Sequence, residues 1–122
     1  MSYMLLIIEP IGQREARTEA QGREAYAAMR QFADELGSQG LLVSAESLAS
    51  QDQGSRVAVR GGRAQVVDGP FAEAKEMIGG FFLLNCQTRA QALSIAERCP
   101  AAQWATVEVR PLAPCYEGAK AA

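Results

Sequence analysis

Two segments far apart in the chain are apolar on both of their alternating faces. Residues 3–9 read YMLLIIE and residues 79–86 read GGFFLLNC, so most apolar positions are followed by another apolar position. Successive side chains of a β-strand point to opposite faces of its sheet, and a strand with this pattern is buried on both faces. We therefore place both segments in the middle of one sheet, with other strands at its edges.

The remaining patterns alternate between helix and strand. An amphipathic helix is predicted from about Ala20, with apolar residues at i, i+3, i+4 and i+7, and Gly37 and Gly40 are expected to close it. Residues 10–19 look polar and irregular, and residues 41–48 (LLVSAESL) form a second predicted strand.

A hairpin and a second helix complete the order of elements. Residues 55–67 (SRVAVRGGRAQVV) alternate around a Gly-Gly pair that is typical of a tight hairpin turn. The spacing Thr88-x-x-Gln91 is a capping-box signature that opens a helix, which must stop before Pro100. The inward stripe of that helix is predicted to be Ala92, Ile95, Ala96 and Cys99, and residues 104–112 form the last strand.

The order β-α-β, hairpin, β-α-β predicts an α+β fold. It is a ferredoxin-like (βαββαβ) sandwich with an inserted β-hairpin, in which the first and third main strands are central. We assign residues 1–116 to a single domain and residues 117–122 to a C-terminal tail.

Two helices cover only one face of such a sheet, yet both central strands are apolar on both faces. Leaving the second face in water would expose a larger apolar patch than monomers usually show. We therefore expect a homodimer that packs through its sheet faces. In the alternative, the inserted hairpin folds over the open face of its own chain.

Composition restricts the function. The net charge of −2, the pI near 5.2 and the lack of a basic cluster argue against nucleic-acid binding. The apolar start is too short for a signal-peptide core or a membrane span, which indicates neither export nor a membrane. Three widely spaced cysteines without a CxxC pair predict no disulfide framework, no zinc site and a cytoplasmic location. No histidine is present, so the commonest general base is missing, and we predict no cofactor and no metal.

The segment 68-DGPFAEAKE-76 has a structural and a functional interpretation. In the structural one, Asp68 accepts backbone N–H groups in a turn, Gly69 supplies a positive φ, Pro70 fixes the next φ and Phe71 re-enters the core. AEAKE then forms about one helical turn, with its charges in solvent rather than around a metal ion.

In the functional interpretation, the same loop closes a pocket at the rim of the covered sheet face. Asp68 is then a base or holds a ligand amine or hydroxyl, and Arg56 or Arg60 meets an anionic group. Glu46, on the second strand, is a further candidate for that pocket.

The stretches YMLLI, DGPFAEAKEMIGGFFLL and VEVRPL resemble the YCII-related family, in its DGPF-motif branch, from Tyr3 to Leu112. The resemblance implies a dimeric ferredoxin-like α+β barrel. Some relatives carry a histidine–aspartate pair proposed as an active site, and a related enzyme removes chloride from a chlorinated hydroxyquinone. In this chain Tyr26 and Cys99 stand at those two positions, so that chemistry does not carry over.

Three functions follow from these observations. The first is binding of a small molecule in a pocket between the sheets of a homodimer, near the DGPF loop. The second is a lyase or isomerase that uses a carboxylate base, with Asp68 as the catalytic residue. The third, from family context, is a partner of a sigma-factor-like transcription regulator. The candidate ligand-binding residues are Asp68, Gly69, Pro70, Phe71, Arg56, Arg60, Tyr26 and Glu46.

Overall fold

The structure, a computed structural model, describes residues 2–120 and contains two antiparallel sheets. The main sheet has the strand order β2-β5-β1-β6, and a separate hairpin pairs β3 with β4. The predicted α+β, ferredoxin-like arrangement is confirmed, with the two doubly apolar strands in the centre. The last two residues of the predicted tail lie outside the described part. The strands are β1 (Ser2–Pro10), β2 (Leu42–Ser47), β3 (Ser55–Arg60), β4 (Arg63–Asp68), β5 (Glu76–Asn85) and β6 (Thr106–Pro111).

Three helices accompany the sheet, and the core lies between it and the two longer ones. The helices are α1 (Gln13–Ala16), α2 (Glu19–Ser38) and α3 (Arg89–Arg98). The core joins the inward faces of β1 and β5 to one side of α2 and α3, which agrees with the predicted stripes. Its buried side chains include Tyr3, Leu5, Ile7, Phe32, Leu36, Phe82, Leu84, Ala92, Ile95, Ala96 and Cys99.

The segment expected to be irregular contains α1 and the cap of α2. Thr18 Oγ1 accepts from the Gln21 backbone N–H at 3.1 Å, and Gln21 Oε1 accepts from the Thr18 N–H at 2.9 Å. This reciprocal capping box starts α2 at Glu19, one residue before the predicted start. At α3, Thr88 caps Gln91 as predicted, but the Gln91 side chain accepts from the N–H of Gln87 instead of that of Thr88.

The DGPF loop forms the base of the β3–β4 hairpin, and the contacts of its residues differ from those predicted. Asp68 accepts from the Ser55 hydroxyl at 2.7 Å, across the hairpin, rather than from backbone N–H groups. Gly69 does not have a positive φ; a Cβ there would overlap the carbonyl oxygen of Gln51. Phe71 is half-buried outside the core, beneath the guanidinium of Arg56 at 3.8 Å from its ring centroid.

No helical turn follows the loop, and the prediction of one over residues 72–76 was wrong. The chain makes a single turn and enters β5 at Glu76, three residues earlier than expected. The pairing of β5 with β1 shifts register at Gly79, between the pairs Ile8–Ile78 and Ile7–Gly80. The glycine pair therefore sits at a β-bulge inside the strand rather than at its start.

The face of the sheet away from α2 and α3 is apolar along its centre. Paired side chains of β1 and β5 form this open face, and the hairpin does not cover it, because its valines remain 57–67% exposed. Glu108 and Arg110 of β6, 4.0 Å apart, border the same face. Its central side chains are Met4, Leu6, Ile8, Ile78, Phe81 and Leu83.

Candidate functional site

A cavity of about 650 Å³ lies between α2 and the sheet, on the side opposite the open face. Small-molecule sites typically measure about 300–1,000 Å³ and combine apolar walls with a few polar groups. Met29, Phe82 and Trp104 supply apolar wall. The charged and hydroxyl groups of the lining are Glu9, Arg14, Arg17, Tyr26, Arg30, Asp34, Glu46 and Ser47.

Glu9 is the deepest charged group of this cavity. It follows Tyr3, Leu5 and Ile7 on the inward face of β1, and it is only 8% exposed. Its carboxylate meets Arg14, with Nε 2.5 Å from Oε1 and Nη2 3.2 Å from Oε2. A carboxylate this deep is strongly unfavourable without a cation, so Arg14 is required for the fold to hold Glu9 there.

Arg14 also links β1, the end of β2 and β5 through hydrogen bonds. Its Nη1 donates to the carbonyl of Leu48 at 2.8 Å, just beyond β2, and its Nη2 donates to the carbonyl of Gly79 in β5 at 3.4 Å. A Cβ at Gly79 would overlap Glu9 Oε2 and lie 2.9 Å from Arg14 Nη2. The bulge therefore needs glycine for close approach to the Glu9–Arg14 pair.

Arg17 and Trp104 form a second feature of the wall. The Arg17 guanidinium carbon lies 5.5 Å from the centroid of the indole ring, a cation–π arrangement. Gln13 of α1 donates to the Trp104 carbonyl at 2.6 Å, which fixes Trp104 against α1. Arg17 is half-buried, so the contact holds the cation at the wall of the cavity.

Tyr26 and Arg30 stand at the outer rim, one turn apart on α2. Arg30 Nη1 donates to the Tyr26 hydroxyl at 3.4 Å, and Tyr26 is 51% exposed. This side-chain hydrogen bond, with smaller contributions from the charges of Asp34 and Glu46, raises the pKa of Arg30 above its ordinary value. The rim therefore carries a permanent positive charge beside a phenol hydroxyl.

The site residues predicted from the sequence lie in separate parts of the structure. Tyr26 and Glu46 line the cavity. Asp68, Gly69, Pro70, Phe71 and Arg56 lie together at the base of the hairpin, and Arg60 lies at its other end, beside the turn. None of these hairpin residues lines the cavity.

Cys99, which the family resemblance places at the position of an aspartate in some relatives, is a core residue. It is fully buried, its thiol lies 3.9 Å from the sulfur of Met29, and burial raises its pKa. Met29 lines the cavity and separates it from the thiol. A buried thiol with a raised pKa is unreactive, so Cys99 does not replace the aspartate chemically.

The sequence interpretation missed Glu9, Arg14 and Arg17. Glu9 is the last residue of the predicted strand 3–9, and both arginines lie in the segment 10–19 that is predicted to be irregular. One signal was available for Glu9: it continues the odd-numbered, inward positions of β1, and a carboxylate at such a position needs a cation nearby.

Within residues 2–120, no group of three or more Asp, Glu, Cys or His side chains is arranged to hold a metal ion. No helix in that range has the length and apolar character needed to cross a bilayer.

Comparison with known proteins gives two findings. The sequence model of the YCII-related domain matches residues 1–115. An uncharacterized protein of Rhizobium meliloti (strain 1021) is 46% identical over 54 residues, which cover 43% of this chain and 44% of that relative. The match to this curated relative thus spans less than half of its length.

Proposed function

The chain belongs to the YCII-related family, and we propose that it binds a small organic molecule in the cavity between α2 and the sheet. One observation supports this above the others: an almost buried carboxylate, Glu9, lies in the wall of a cavity of about 650 Å³ and is held there by Arg14. Replacing a buried ion pair by apolar residues is often neutral or stabilising, so stability alone does not favour this pair. A role in ligand binding gives a reason for the Glu9–Arg14 pair.

The chemistry of the wall suits a ligand with an apolar body and a polar end. Arg14 occupies one side of the Glu9 carboxylate, and each carboxylate oxygen can accept more than one hydrogen bond. A ligand hydroxyl or amine can therefore donate to Glu9, while Met29, Phe82 and Trp104 contact its apolar part. Tyr26 and Arg30 at the rim can contact the end that faces solvent.

A lyase or isomerase is the second candidate, and the same carboxylate favours it. A general base must reach the proton that it removes, and Glu9 faces the cavity in which a substrate would lie. In this version of the function Glu9 takes the role of catalytic base that the sequence pattern suggests for Asp68. Turnover that survives in a Glu9→Gln variant would exclude Glu9 as the base.

We also propose the homodimer predicted from the sequence, formed through the open face. Its centre is apolar, and Ile78 is 48% exposed in the single chain. Glu108 and Arg110 at its border can pair with their counterparts across a two-fold axis. In such a dimer the DGPF loops remain candidates for a second pocket, with Asp68, Arg56 and Arg60 as proposed ligand-binding groups. A monomeric mass in light scattering at micromolar concentration would contradict the dimer.

A single domain in the cytoplasm completes the proposal. The core draws on side chains from Tyr3 to Ala101, which supports one domain over residues 1–116. Cys86, Cys99 and Cys115 are free thiols, and a reducing cytoplasm would keep them so.

Filling the cavity is expected to abolish ligand binding. Ala25 lines the cavity from α2, whereas Ala27, two residues along the same helix, is exposed and outside the lining. A library of small organic fragments, followed by saturation-transfer NMR, should give hits with the wild type that are lost in Ala25→Phe and kept in Ala27→Phe. Hits that bind Ala25→Phe as well as the wild type would place the ligand elsewhere.

A further inference from the structure

Arg17 differs from the other arginines around the cavity in what it contacts. Arg14 pairs with Glu9 and two carbonyl groups, and Arg30 donates to Tyr26. Arg23, outside the cavity, pairs with Glu19 at 2.7 Å. Among residues 2–120, no carboxylate lies within 4.0 Å of the Arg17 guanidinium, and none of its N–H groups donates to a protein acceptor.

This guanidinium is nevertheless held in place. The Trp104 ring lies 5.5 Å from its central carbon, and the Trp104 backbone is fixed by the side chain of Gln13. Stacking on an aromatic face occupies the plane of a guanidinium and leaves its edge, which carries the N–H donors, available. A half-buried cation that is oriented but makes no hydrogen bond is suited to receive an anion.

We propose that Arg17 binds the carboxylate of a small organic acid in the cavity. The inference rests on the proposed function and adds the chemical class of the ligand. The carboxylate pairs with the N–H edge of Arg17, and the apolar body lies against Trp104 and Met29. Where the acid carries a hydroxyl or amine, that group donates to Glu9.

The charges of the wall favour a monoanion over a phosphate. Three carboxylates of the cavity, Glu9, Asp34 and Glu46, are matched by three guanidinium groups, those of Arg14, Arg17 and Arg30, so the wall has no surplus positive charge. A dianion at Arg17 would bring one negative charge more than Arg17 balances, whereas a single negative charge is balanced by Arg17 itself. Inorganic phosphate is therefore expected to bind more weakly than a carboxylate of similar size.

Matched acids and amides test the inference, since each amide has the shape of its acid without the charge. The probes are acetate, butyrate and benzoate, their primary amides, and inorganic phosphate, each titrated by calorimetry at fixed ionic strength. Trp104 is the single tryptophan of the chain, so its fluorescence reports independently whether a probe reaches the Arg17 wall.

We expect at least one acid to bind the wild type more tightly than its amide. Arg17→Gln should weaken that acid by about tenfold to a hundredfold, the effect of losing hydrogen bonds to a charged group, and leave the amide unchanged. Arg17→Lys keeps the charge but lacks the two-pronged donor edge, so its affinity for the acid should lie between those of the wild type and Arg17→Gln. The control Arg23→Gln removes the same charge from the surface and should change neither.

Several results would overturn the inference. Equal binding of an acid and its amide to the wild type would remove the anion site, as would equal losses in Arg17→Gln and Arg23→Gln. If Ala25→Phe blocks both probes while Arg17→Gln blocks neither, the cavity binds ligands but Arg17 does not select acids. If no probe binds the wild type, this inference falls, and the fragment screen decides the proposed function separately.

Discussion

Replacing Arg14 by methionine is expected to lower the free energy of unfolding by about 2–4 kcal/mol. The variant keeps much of the volume of the side chain but leaves Glu9, whose side chain is 11% exposed, without its cation. It also removes the donors to the carbonyls of Leu48 and Gly79. The value is below that of a fully buried pair because the Arg14 side chain is 31% exposed. Urea denaturation at neutral pH measures the difference.

The chain offers a matched control for this variant. Arg23 pairs with Glu19 at 2.7 Å, close to the 2.5 Å of the Arg14–Glu9 pair. The side chains of Arg23 and Glu19, however, are both about 80% exposed. Arg23→Met is expected to cost about 0.5 kcal/mol or less, because water screens a surface pair. Equal losses in the two variants would show that Glu9 is not held in a buried environment.

Gly79→Ala is expected to destabilise the protein by about 2 kcal/mol. The new methyl group would occupy the position of Glu9 Oε2, so the carboxylate must move away from Arg14 or the β5 backbone must shift. Both responses disturb the floor of the cavity, and binding of any fragment found by the screen should weaken in parallel. Thermal unfolding and one fragment titration measure both effects.

A second glycine separates this steric effect from the effect of alanine itself. Gly37 lies in α2, and a Cβ there would meet nothing within 4 Å. Because alanine favours a helix, Gly37→Ala should stabilise the protein by about 0.5–1 kcal/mol. If Gly79→Ala were as harmless as Gly37→Ala, the close contact between Gly79 and the Glu9–Arg14 pair would be contradicted.

Much of the fold could be predicted because its determinants are local patterns. Doubly apolar runs identified β1 and β5 as central strands, and a glycine pair identified the hairpin turn. Pro100 marked the end of α3, which stops at Arg98. The start of β5 was misplaced because a bulge interrupts the alternation of side chains at Gly79.

The cavity could not be predicted in the same way, because its charged groups come from segments that share no sequence pattern. Arg14 and Arg17 lie in a segment without periodicity, and no pattern indicates that one would meet Glu9 and the other Trp104. The spacing of Glu9 did indicate an inward side chain. Its partner Arg14 is brought to it by the position of α1 beside the sheet, which no sequence pattern indicates.

The DGPF segment shows a further limit of sequence interpretation. A glycine can serve a positive φ or a close approach, and the sequence does not distinguish the two. At Gly69 the reason is the nearby Gln51 carbonyl, and Asp68 pairs with Ser55 across the hairpin. These contacts explain the motif as architecture, and its role in ligand binding stays a prediction.

The most direct test of the account is the location of a bound ligand. A ¹H–¹⁵N correlation spectrum, recorded with and without a fragment from the screen, reports it residue by residue. The account predicts that the shifts concentrate on the Trp104 indole N–H and on the amides of Ala25, Met29 and Ala33, which line the cavity. Shifts confined to residues 68–71 and the β3–β4 hairpin would contradict it and place the site at the DGPF loop.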